Sequence, residues 1–172
     1  MAIAPKFLDI LERLIRREVD LIVVGGVAAI LEGAPVSTLD LDIVFNPTEE
    51  NQRRLLEALR DLNARYLDPA GRHLLPDEAK LSSFRLHQLL TDFGPLDVLR
   101  TIGNGMAYSD LIDHTQEYTV GDLQVRTLRL EMIILSKEQA SRDKDRATLP
   151  VLRRTLDLKA KAADLEGRKD AE

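Results

Sequence analysis

Three aspartates and a glycine pair are the residues of this chain whose types and spacing could do chemistry. Asp40 and Asp42 are one residue apart and open the apolar run Ile43-Val44-Phe45. A later acid, Asp97, is set between Leu96 and Val98. Side chains alternate along a strand, so Asp40 and Asp42 are predicted on one side and Leu41 and Ile43 on the other, in the core. Two carboxylates that close repel unless something positive sits between them. Hard divalent cations take oxygen ligands, and magnesium characteristically keeps waters and shares substrate phosphates. Magnesium, with manganese as the alternative, is therefore the expected cofactor, held by Asp40, Asp42 and Asp97. In two-metal phosphoryl transfer one ion activates the attacking oxygen and the other steadies the leaving group. A third carboxylate can also take the acceptor's proton.

Gly25-Gly26 suits the other half of the problem. It directly follows Leu21-Ile22-Val23-Val24. Without side chains the backbone can turn sharply and approach a triphosphate closely, and a helix beginning there would aim N–H groups at phosphate oxygens. Each piece also has a plain structural reading: a tight strand-to-helix turn for the glycines, exposed strand charges for Asp40 and Asp42, a turn-adjacent surface acid for Asp97. The apolar flanks weigh against these, because they make the strand central, where unpaired charge is costly.

The elements that must position these groups follow from periodicity. Phe7, Leu8, Leu11, Leu14 and Ile15 recur at helical spacing. Leu21 to Val24 reads as a buried strand, Val27 to Leu31 as a short helix ending at Gly33, and Thr38 to Phe45 as a second strand. Thr48 caps a helix whose apolar face is Leu55, Leu56, Leu59 and Leu62. A loop is predicted between Tyr66 and Lys80. Ser83 to Thr91 and Leu96 to Arg100 form a hairpin across Asp92-Phe93-Gly94-Pro95. Tyr108 to His114 reads as a short helix. Glu117 to Val120 and Leu123 to Arg126 flank Gly121-Asp122 as a second hairpin. Leu128 to Ala140 and a segment from about Arg142 read as helices, with Pro150 near a break or kink. The fold class is thus α/β (α+β): a mixed sheet flanked by helices, with helices at the C-terminal end. Residues 1–158 form one domain, and the charged stretch 159–172 is expected to fray.

Bulk properties narrow the classes. With 172 residues, 44% hydrophobic and 31% charged, the chain can bury a single core. Aromatics are only 4%, so that core must be mostly aliphatic. The absence of cysteine excludes structural disulfides and thiolate zinc sites. No signal-peptide core or membrane-length apolar run is present, so no membrane is expected and the cytoplasm is the expected setting. A net charge of −5 weighs mildly against a protein devoted to gripping nucleic acid, yet leaves room for a local basic patch. His73, His87 and His114 lack metal spacing and read as surface or capped histidines. No nucleophile elbow, P-loop or zinc pattern is present.

The ordered set of strand, Gly25-Gly26, helix, strand with Asp40-x-Asp42 and later strand with Asp97 resembles the nucleotidyltransferase superfamily related to DNA polymerase beta. Within it the chain looks most like small bacterial toxin nucleotidyltransferases of the AbiEii/MenT type. Those often read Arg-x-Thr-x-Asp-x-Asp; here Val36-Ser37-Thr38-Leu39-Asp40-Leu41-Asp42 keeps the Thr and lacks the Arg. A late Lys and an Arg-x-Lys-Asp segment face the nucleotide in that group, and Lys137 and Arg142-Asp143-Lys144-Asp145 look similar. The resemblance spans roughly residues 20 to 155 and implies an enzyme that transfers a nucleoside monophosphate from a nucleoside triphosphate, such as ATP, to a hydroxyl acceptor. By that reading Gly25, Gly26, Thr38, Lys137 and Asp145 bind nucleotide.

Little chain remains after the last helix for an acceptor-binding domain. The expected acceptor is therefore large, tRNA or a protein, or the site is shared between subunits of an oligomer. A toxin–antitoxin role with a cognate antitoxin follows from the resemblance. Two further readings stay open: a catalytically weak binding module, antitoxin-like or regulatory, which the missing Arg fits; and an antibiotic-modifying nucleotidyltransferase, for which this length barely supplies a pocket.

Overall fold

The computed structural model describes residues 4–169. In chain order its elements are α1 (Pro5–Arg16), β1 (Leu21–Val24), α2 (Gly25–Leu31), β2 (Leu41–Phe45), α3 (Glu49–Asp61), β3 (Arg65–Tyr66), α4 (Glu78–Ser83), β4 (Leu86–Thr91), β5 (Gly94–Leu99), β6 (Thr101–Ile102), β7 (Met106–Ala107), α5 (Tyr108–Leu111) with a 3-10 turn (Ile112–His114), β8 (Thr115–Val120), β9 (Leu123–Leu128), α6 (Leu130–Ala140) and α7 (Asp143–Lys169). Seven strands form one mixed sheet in the order β3-β4-β5-β2-β1-β9-β8, while β6 and β7 make a separate ribbon. The β2–β5 and β1–β9 pairs are parallel and the others antiparallel. This is the expected mixed α/β architecture.

The register fixes what shares a face. Val24 pairs with Asp42, Asp42 with Asp97, and Asp97 with Gln88. One row across four strands therefore carries both strand acids. The opposite face is dry: Leu41, Ile43, Leu89, Leu96 and Val98 are fully buried. Burying these aliphatic side chains, each contributing roughly 1.5–3 kcal/mol, pins the strands and so pins the acids behind them. A one-residue slip would exchange the two faces.

Several local readings shift. The second strand begins at Leu41, not Thr38, because the Thr38 hydroxyl turns back on Asp40, donating to its carbonyl (3.1 Å) and near its carboxylate Oδ1 (3.0 Å). Such local side-chain bonding competes with a strand ladder. The helix after β1 starts at Gly25 itself. Thr48 caps α3 as expected, accepting from the Asn51 N–H. Helix α7 continues through Pro150, which forfeits one backbone hydrogen bond, and buried Leu149 and Leu152 hold it in place. His87 is a correction to the surface reading. It is fully buried on β4, with Nδ1 2.7 Å from the Tyr66 hydroxyl. Alternation places it on the core face with Leu89, and burial holds the imidazole below its usual pKa.

Of the stretch 159–172, expected to fray, the part as far as Lys169 is helical, and residues 170–172 lie outside the described residues. Its first residue is tied to the core. Lys159 Nζ lies 2.7 Å from Glu32 Oε2, and Glu32 is 4% exposed. The other Glu32 oxygen accepts from the Tyr118 hydroxyl at 2.6 Å, and the Leu130 N–H reaches Oε2 at 3.2 Å. One buried carboxylate thus joins α2, β8, the start of α6 and α7. Removing one partner of a buried charge leaves the other uncompensated. Lys159→Met is expected to lower stability by about 1–3 kcal/mol in urea unfolding, with no comparable loss for Lys161→Met, whose side chain is exposed.

Candidate metal and nucleotide site

The sheet register brings two of the acids together, and the bend before β2 supplies the third. Asp40, Asp42 and Asp97 each offer a carboxylate oxygen, and these oxygens all lie within 4.8 Å of one another. All three residues are half-buried. Burial first, then the charges of Asp40 and Asp97, pushes Asp42 up to about 7; Lys144 and Lys137 pull the other way. Burial and Asp40 push Asp97 up to about 6, opposed by Lys144, Arg142 and a hydrogen bond from Gln88. Acids forced this close without neutralisation form a set of hard oxygen donors suited to a divalent cation.

The glycines explain how the acids fit. Gly25 takes φ +65°, open to glycine and costly for other residues, and a Cβ there would collide with the Asp42 carboxylate. A Cβ at Gly26 would stand 2.5 Å from Thr38 Cβ. The glycine pair therefore packs its bare backbone against Asp42 and Thr38. Thr38 in turn orients Asp40 through its hydroxyl.

Lys137 and the segment from Arg142 to Asp145 meet at the α6–α7 junction, where Ser141 ends α6 in a left-handed conformation. Asp145, expected to face nucleotide, is instead wholly enclosed. Its side chain is 0% exposed and accepts from Lys137 Nζ (2.8 Å) and Arg142 Nε (2.6 Å). Burial raises its pKa, but the bonds from Arg142 and Lys137 outweigh that and hold it low. A carboxylate so enclosed positions its two cations, and they present the charge. Lys144, on the first turn of α7, also acts on Asp42 and Asp97. Its signal was its place in the Arg-x-Lys-Asp segment. Gln88 had no sequence signal, since only the β4–β5 register sets it opposite Asp97.

Neither a protein-family model nor a curated protein matches the sequence. Solved structures do share the fold. The lincomycin-bound lincosamide antibiotic adenylyltransferase LnuA aligns with TM-score 0.60 at 15% identity, covering 88% of this chain and 97% of that chain. The solution structure of the antibiotic-resistance factor ANT(2'')-Ia aligns with TM-score 0.58 at 14% identity, over 98% and 97%. A Thermotoga maritima protein assigned provisionally as a nucleotidyltransferase aligns with TM-score 0.53 at 19% identity, over 87% and 93%. The fold is thus that of the nucleotidyltransferase structures.

The raised pKa values carry a sign. Asp42 has a folded pKa above its unfolded value, so its contribution to stability is complete below about pH 4 and is lost as pH rises through about 7. In chelator, Asp42→Asn is expected to stabilise the protein by on the order of 2–4 kcal/mol at pH 8 and to change little at pH 4, measured by thermal melts across that range. Gly25→Ala should cost about 1–3 kcal/mol from the positive φ and should also displace the Asp42 carboxylate, read as weakened manganese binding by calorimetry.

Proposed function

We propose that this chain is a magnesium-dependent nucleotidyltransferase, with manganese as an alternative ion. It transfers a nucleoside monophosphate from a nucleoside triphosphate to a hydroxyl acceptor. The observation that carries this reading is the convergence of Asp40, Asp42 and Asp97 beside a glycine pair, in a chain with the fold of nucleotidyltransferase structures. Asp40, Asp42 and Asp97 would hold the divalent ions, which when bound supply neutralisation of phosphate charge and activation of the attacking oxygen. Gly25 and Gly26, packed against Asp42 and Thr38, would cradle the phosphates with their backbone. Lys137, Arg142 and Lys144 offset their negative charge, with Asp145 holding the first two in place. Thr38 keeps Asp40 oriented. Asp97 accepts the acceptor hydroxyl's proton. The acceptor oxygen bonds to the α-phosphorus, the bond from that phosphorus to the bridging oxygen breaks, and pyrophosphate leaves with the electron pair. The catalytic unit is residues 1–158 as one domain, with Lys159 anchoring the remainder of α7.

The AbiEii/MenT-like letters around Thr38, Asp40, Asp42, Lys137 and Arg142-x-Lys144-Asp145 support a toxin-type enzyme with a macromolecular acceptor, tRNA or protein, and a cognate antitoxin in the cytoplasm. No helix among the described residues is long and apolar enough to cross a membrane. A second reading is a small-molecule acceptor, favoured by the likeness to LnuA with lincomycin and to ANT(2'')-Ia in complex with adenylyl-2''-tobramycin.

Calorimetric titration of each nucleoside triphosphate, with and without magnesium, tests the shared core of both readings. Magnesium-dependent binding of at least one triphosphate is expected, abolished in Asp40→Asn/Asp42→Asn. Binding of none by the wild type would sink nucleotidyl transfer and favour a non-catalytic binding module.

A further inference from the structure

Two of the helices that face the acid cluster are joined, at the end away from it, by one carboxylate. Glu32 directly follows α2, and Gly25-Gly26 open that same 7-residue helix. Lys137 lies equally far along α6 from its first residue, Leu130. At about 1.5 Å per residue both spans are roughly 10 Å, or two turns. Helices α2 and α6 pack against each other, and Glu32 meets Leu130 at one end of the pair. At the other end Gly25 stands against the Asp42 carboxylate, and the charge of Lys137 acts on that same acid. The two helices therefore run antiparallel, closed by Glu32 and open at the site.

The first N–H groups of a helix have no partner within it. Helix α6 has no cap of its own, since Arg129 before it makes no side-chain cap bond. Glu32 supplies one from another helix: its Oε2 accepts from the Leu130 N–H at 3.2 Å. A carboxylate in that place also complements the helix dipole. Glu32 is 4% exposed, and buried charge is costly unless paired. Lys159 Nζ on α7 lies 2.7 Å from Oε2, and the Tyr118 hydroxyl donates to Oε1 at 2.6 Å. These contacts differ in what they could do for the site. Leu130 and Lys159 belong to the helices that carry Lys137 and Lys144, whereas Tyr118 belongs to β8, which carries no residue of the site. A carboxylate kept only for stability would make no such distinction.

We propose that Glu32 is a positioning residue for the triphosphate: by capping α6 from the end of α2, it holds Lys137 at the distance from the glycine pair that the phosphates require. This rests on the nucleotidyltransferase reading. Glu32 touches neither the acids nor the reacting atoms, so it acts through the residue it places. Small displacements of groups that hold a substrate carry large consequences.

The test measures magnesium-dependent triphosphate affinity by calorimetry in Glu32→Gln, in Lys137→Met and in the double variant. Thermal melts set a temperature at which each is folded. Glu32→Gln is expected to bind about three- to thirtyfold more weakly than the wild type. In the Lys137→Met background the same change should cost little more, because the residue through which Glu32 acts is already gone. Independent residues this far apart would give additive losses. Tyr118→Phe, which removes only the bond to β8, should keep wild-type affinity whatever its melting temperature. If Glu32→Gln melts early because Lys159 is left uncompensated, Glu32→Gln/Lys159→Met removes both charges and takes its place, again with and without Lys137→Met. Wild-type affinity in the folded Glu32 variant, or equal losses in the two backgrounds, overturns the positioning role and leaves nucleotidyl transfer standing. An equal loss in Tyr118→Phe overturns it too, since affinity would then follow stability. Failure of the wild type to bind any triphosphate overturns nucleotidyl transfer itself, and this role falls with it.

Discussion

The structure is organised around a repulsion that the sheet enforces. Asp42 and Asp97 are register partners on adjacent parallel strands, and Asp40 is folded in beside them. None of these acids would choose the others' company in water. They are held there because the reverse side of the same strands is packed with Leu41, Ile43, Leu96 and Val98, all fully buried. The hydrophobic effect on one face thus supports electrostatic strain on the other, and crowded carboxylates of this kind are donors suited to a divalent cation. Its signature is the displacement of Asp42 to about 7 and of Asp97 to about 6.

Two further carboxylates show the opposite use of burial. Asp145 is enclosed by Lys137 and Arg142, and Glu32 by Tyr118, the Leu130 N–H and Lys159. Both are satisfied by hydrogen bonds, as buried charge must be. Asp145 fixes the cations whose field offsets the acid cluster, and Glu32 fixes the helices on which those cations ride. The division is physical: Asp145 and Glu32 are paired with cations, whereas Asp40, Asp42 and Asp97 crowd one another.

The openness of the acid-bearing face over β4 separates this arrangement from a purely structural sheet. Along that face the residues run from Asp97 through Gln88 and Leu90 to Arg65 on the edge strand. The likeness to solved nucleotidyltransferase structures establishes the fold.

The sequence by itself determined the elements and the acids. Period-two and helical patterns placed most strands and helices, and the carboxylates could be named because Asp40, Asp42 and Asp97 interrupt apolar runs where a charge needs a reason. Only the tertiary structure decided which residues meet. Gln88 opposite Asp97 depends on a hairpin register. The burial of His87 depends on which side of β4 meets the core, and nearby apolar residues on both sides left that ambiguous. Asp145 turned inward because Lys137, eight positions earlier, folds back across the α6–α7 turn. Lys159 belonged to a stretch that composition alone marked as loose, and its hold on Glu32 exists only once distant helices are packed. Local pattern is written in neighbouring residues and can be read from them. Pairing between distant residues is set by the free energy of the whole packed chain, and no stretch of sequence carries it alone.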